Sequence, residues 1–181
     1  MTRFKSIKGA WLRRWLKDEA GTATIEFAIM FPVYIVIFFS AVELGMVQYR
    51  QSMLERGLDM AVRDIRLGTG TAPQHDDIKQ AICDYAGVLP NCTNNLRLEM
   101  IRVDPRNYVA PSNVADCVDH SETSNPVRSF VNGDENDSML LRACLVFRPV
   151  FPTAGMGLQL AKDGAGNAAM TASSAFVQEP R

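Results

Sequence analysis

Two carboxylates bracket the long apolar run of this sequence. Glu26 stands immediately before Phe27–Val42 (FAIMFPVYIVIFFSAV) and Glu43 immediately after it. A carboxylate at the edge of a hydrocarbon layer is costly unless paired, so Glu26 marks a functional site by default. Its partner is suggested just upstream, where Gly21 ends a charged stretch. Hydrolysis of the Gly21–Thr22 bond would leave a free amine on Thr22, a cation about one helical turn from Glu26. That pair could neutralise itself within one chain or between neighbouring subunits. A secretory signal is cut after its apolar core, whereas the candidate point here precedes it.

Four cysteines offer a second chemistry. Cys83, Cys92, Cys117 and Cys144 form an even set without the CxxC spacing of zinc or thioredoxin-type sites. Disulfides are therefore expected over free thiols. Of the three connectivities possible, Cys83–Cys92 with Cys117–Cys144 is expected, because each bridge then closes a local loop. Enzymatic chemistry has little support. His75 and His120 lie far apart in polar contexts, and GxSxG, HExxH, P-loop and GxGxxG patterns are absent. Asp134-Glu135-Asn136-Asp137 lacks the glycine and closing glutamate of a calcium loop and reads as a solvated turn. No catalytic residue, cofactor or metal is assigned, and no small-molecule substrate is expected.

The elements that must carry these residues follow from charge. The formal net charge is −1 over 181 residues, with a pI near 6.1, which argues against nucleic acid as a partner. That total hides three segments. Met1–Gly21 carries six basic and two acidic residues, Thr22–Met46 has only Glu26 and Glu43, and the remainder carries thirteen basic and sixteen acidic residues. Thr24–Val47 is about 36 Å of helix, enough to cross a bilayer once. A domain this small rarely encloses a helix that is apolar all round. The basic flank keeps the N-terminus in the cytoplasm and exports the C-terminal part. Phe4, Ile7, Trp11, Leu12, Trp15 and Leu16 among the basic residues suit either a helix on the inner leaflet or an extended leader that only sets topology.

Four spans result: a basic leader at 1–21, a transmembrane helix at 22–47, its continuation at 48–68 and an extracytoplasmic domain at 69–181. Met53, Leu54, Leu58, Ala61, Val62 and Ile65 recur at helical spacing, so the membrane helix is predicted to run on to Leu67 before Gly68 to Pro73 end it. A second helix is predicted over Asp76–Gly87, and strands over Leu96–Val103, Cys144–Arg148 and Ala168–Val177. Asp104–Asp137 reads as a long loop. The fold class is α+β, one long helix leading into a small domain with a three- to four-stranded antiparallel sheet. Within the span, Pro32 frees a carbonyl and tends to kink the helix. Glu43 is expected to snorkel to the outer interface. Ala41 and Gly45 form a small-xxx-small pair that would let another helix approach.

A basic leader ending in glycine, a glutamate five residues on, and a hydrophobic helix resemble the type IV prepilin signal. More closely, Glu26-Phe27-Ala28, Pro32 and Glu43-Leu44-Gly45 resemble the N-terminal signature of TadE-like proteins, minor pilins or pseudopilins of tight-adherence (Tad, Flp-type) pili. Arg142–Pro152 and Asn167–Pro180 resemble that family's strand-forming tail. The resemblance implies removal of Met1–Gly21 by a prepilin peptidase, with Glu26 registering one subunit against the next. It also implies residence in the bacterial inner membrane, with the domain periplasmic. Other minor and major pilins and the pilus assembly platform would be the partners. The contrasting expectation is a signal-anchored extracytoplasmic binding or sensor module that is neither cleaved nor assembled.

Overall fold

The computed structural model describes residues 22–67, 73–121 and 129–180. The expected leader with Gly21, and residues 68–72 of the stretch expected to end the helix, lie outside the described residues. Helix α1 spans Thr22–Arg66 and continues unbroken through Pro32. At 1.5 Å per residue it is a rod of about 68 Å. Its two halves differ in what surrounds them. Ile25, Phe27, Ile29, Ile37 and Phe38 are each at least 60% exposed, whereas Leu54, Leu58, Ala61 and Val62 are buried. The apolar half is long and apolar enough to cross a membrane and packs on no core of its own.

Helix α2 (His75–Ala86) begins where the Asp77 carboxylate accepts the Gln74 backbone N–H (2.9 Å) and ends at Gly87. Ile78, Ile82 and Ala86 recur every four residues and face the core. A single turn, α3 (Cys92–Asn95), leads into strand β1 (Leu96–Arg102). The chain returns through a long irregular segment to β2 (Ser138–Phe147), then through the short helix α4 (Gly155–Gln159) to β3 (Ala168–Val177). The three strands form an antiparallel sheet in the order β1-β2-β3, with Leu98 opposite Ala143 and Ala143 opposite Ala172. The architecture is α+β, as the sequence implies. An isolated parallel bridge from Met100 to Phe130 stands where a fourth strand was open.

Strand β2 differs from the sequence expectation by starting six residues earlier, at Ser138. It is the central strand, paired with β3 along its whole length and with β1 over Met139–Leu145. Ala143–Phe147 are all buried, so alternation is lost where both faces are covered. One face of the sheet presents Leu96, Leu98, Leu141, Leu145, Met170 and Phe176 to the core that α1 and α2 complete. The other carries Arg97, Glu99, Arg142 and Cys144, and residues 112–117 fold over it. There Cys144 is bonded to Cys117, Arg97 pairs with Asp116 (3.0 Å), and Arg142 donates to the Ser112 carbonyl (2.7 Å).

Candidate functional site

Helix α1 and the segment after β2 meet at a neck where the apolar half of the helix becomes the core half. Three consecutive turns of the helix supply the groups. Phe39 stacks on Phe151 with ring centroids 4.5 Å apart. The Ser40 hydroxyl donates to the Val36 carbonyl (2.7 Å) and accepts the Met156 N–H (3.2 Å). Glu43 is fully buried, and its two carboxylate oxygens accept the backbone N–H groups of Val150 (3.1 Å) and Phe151 (2.7 Å). Further along, Arg50 lies over the Phe147 ring and donates to the Arg148 carbonyl, and Gln51 donates to the Thr171 carbonyl.

The segment is shaped to come this close. Gly155 has φ +54°, and a Cβ there would meet the Ser40 hydroxyl and stand 3.3 Å from the Val36 carbonyl. A side chain at this position would push α4 off the helix. Beyond α4, the Asp163 carboxylate closes the turn into β3 by accepting the N–H groups of Ala165 and Asn167 and the Asn167 amide. Burial pushes its pKa up, but the hydrogen bonds from Asn167 and Ala165 outweigh that and hold it below the usual value.

Glu43 thus does not snorkel into water, as expected from its place at the end of the span. Two backbone donors more than a hundred residues away in sequence take the place of solvent. Sequence reasoning missed Ser40, Phe151 and Gly155 altogether. The signal available was Pro149–Ala161, thirteen uncharged residues between Arg148 and Lys162.

The other candidate residues fall outside the neck. Glu26 is exposed on the bare half of α1, one turn from Thr22. Pro32, Ala41 and Gly45 are exposed too, and a Cβ at Gly45 would meet nothing within 4 Å. Cys83–Cys92 ties α2 to α3 with Cα atoms 5.7 Å apart, and Cys117–Cys144 joins the irregular segment to β2 at 5.2 Å. His75 accepts the Leu98 N–H and packs edge-on against Phe130, whereas His120 is bonded to Asn95. Among the described residues no cluster of His, Cys, Asp or Glu is arranged to hold a metal ion.

Residues 21–63 match the family model described as TadE-like protein, so this stretch is TadE-like in sequence. The match takes in Glu26, Pro32 and Glu43-Leu44-Gly45 and ends before the strand-forming tail. No curated protein and no solved structure matches the chain.

Proposed function

We propose that this chain is a minor pilin or pseudopilin that takes part in assembling a Tad/Flp-type pilus serving adhesion and biofilm formation. The observation that carries the reading is the TadE-like match over residues 21–63, which falls on a helix whose apolar half is bare. The helix anchors the chain once in the bacterial inner membrane, with the leader cytoplasmic and the domain periplasmic. A prepilin peptidase cuts after Gly21, leaving a working protein of 160 residues with a formal side-chain charge of −5. The new amine on Thr22 and the exposed Glu26 carboxylate then register one subunit against its neighbours. Ala41 and Gly45 lie on open helix surface and give a close approach to other pilins. The chain itself is not an enzyme; the peptidase and the assembly platform supply the catalysis and the work.

Mass spectrometry of the protein purified from cells carrying the pilus machinery tests this. A mature chain beginning at Thr22 is expected. An intact Met1 there would favour the uncleaved, signal-anchored binding module instead. The substitution Glu26→Ala should leave membrane insertion intact and reduce assembly into pili, and normal piliation of that variant would remove the registry role.

A further inference from the structure

The neck lies too low on the helix to stand clear of a membrane. From Glu26 to Glu43 the helix rises about 25 Å, less than the roughly 30 Å hydrocarbon core of a bilayer. The domain closes on the helix still lower, where Met156 N–H reaches Ser40 and a Cβ on Gly155 would stand only 3.3 Å from the Val36 carbonyl. Only the helix from Thr22 to Ile35, about 21 Å, extends below that contact. If Glu26 sits at one boundary of the hydrocarbon, α4 and its flanks reach the level of the other.

The composition of that segment fits the same place. Pro149–Ala161 contains no charged residue, and basic Arg148 and Lys162 stand at its two ends. Val150 and Leu158 are 43% and 56% exposed beside the helix. The backbone N–H groups of Val150, Phe151 and Met156 are satisfied by Glu43 and Ser40. Satisfying those groups internally is what a segment needs before it can leave water. Glu43 for its part can lie at this depth only because those donors replace its hydration.

We propose that Pro149–Ala161 is a membrane foot, seated in the headgroup–acyl boundary of the leaflet on the domain's side. Val150 and Leu158 dip into the acyl region, while Arg148 and Lys162 meet the headgroups. The lipid surface is the partner, because the patch is continuous with the apolar half of α1. The proposal rests on the reading that α1 spans the membrane.

The test uses the full chain with Trp11→Phe and Trp15→Phe, in vesicles of phosphatidylcholine brominated on the acyl chain near the glycerol end. Leu158→Trp reports on the foot, Ile29→Trp on the span, and Val114→Trp on the domain surface, where Val114 is 79% exposed. Quenching of Leu158→Trp should come within roughly twofold of that of Ile29→Trp, as for a side chain at the acyl boundary, with Val114→Trp unquenched. Val150→Trp provides the same readout if Leu158→Trp does not fold. Quenching at Ile29→Trp without quenching at either foot position overturns the foot alone. Blue-shifted but unquenched foot emission overturns it in favour of a covering protein neighbour. An unquenched Ile29→Trp removes the spanning reading and the foot with it.

Discussion

Removing the Glu43 carboxylate strands two backbone donors at once. Val150 and Phe151 N–H point at its oxygens from a segment with no regular structure of its own, so no neighbouring carbonyl is in line to replace it. A fully buried donor left unsatisfied costs about 1–3 kcal/mol, an upper bound at these part-buried bonds. Glu43→Ala is therefore expected to lower the stability of the neck by up to that amount per donor. Amide exchange at Val150 and Phe151 should accelerate well before exchange in β2. Glu43→Gln should fall between, since the new amide keeps one acceptor and turns an N–H₂ toward the other donor. Unchanged exchange at both amides in Glu43→Ala would show that the carboxylate is incidental to the docking. Glu26 makes the contrast. It is exposed on the bare half of the same helix, so Glu26→Ala should change stability by no more than about 0.5 kcal/mol. The two acids, seventeen residues apart on one helix, thus differ in what they touch: Glu43 is bonded within the chain, whereas Glu26 lies exposed, as its proposed role between chains requires.

At the scale of elements, the contact between α1 and α2 turns on Gly57. A Cβ there would stand 2.7 Å from the Ile82 carbonyl oxygen and 3.1 Å from the Ala86 Cβ. Replacing glycine by alanine inside a helix gains about 1 kcal/mol of propensity. Overpacking against backbone costs about 1–3 kcal/mol. The obstacle is a carbonyl of α2, which is itself tied by Cys83–Cys92 and by Tyr85 donating to Asp64 of α1, so it cannot slide away. Gly57→Ala is thus expected to be net destabilising by thermal unfolding, while Gly45→Ala, with open space around it, should be neutral or stabilising in the isolated chain. A stabilised Gly57→Ala would mean that the helices separate at little cost. These elements show what was legible from the sequence. The apolar run and the spacing of Leu54, Leu58 and Ala61 mark α1, and alternation marks β3, which has one buried face, and β1, whose covered back carries the charged Arg97 and Glu99. The first half of β2 stayed hidden because its burial alternates while its residues do not, Met139, Leu140 and Leu141 being apolar in succession after an acidic turn. Helices α3 and α4 are too short for any period to register. The neck was illegible because its donors are backbone N–H groups, which every residue has, brought to Glu43 from the far end of the chain.

For the molecule as a whole, the weak side is the back of the sheet. The helices supply an apolar core on the front, but residues 104–121 that cover the back contribute no helix or strand. Their ordering relies on polar ties, Arg97 with Asp116 and Arg142 with Glu99 and the Ser112 carbonyl, together with Cys117–Cys144. Arg97 is only 4% exposed, and a buried pair of this kind is poor at adding stability though costly to break. The cross-link is therefore the stronger constraint. It joins residues 27 apart, against 9 for Cys83–Cys92. Loop-closure entropy gives about 3.6 kcal/mol for the longer loop and about 2.6 for the shorter. Replacing Cys117 and Cys144 by serine should thus lower the urea midpoint more than replacing Cys83 and Cys92. Trypsin should also cut after Arg106 faster in the first variant, because the covering segment is released while the front core persists. The opposite order of midpoints would mean that the arginine ties hold the back face without the bridge, and that the α2–α3 corner is the part of the domain the disulfides protect.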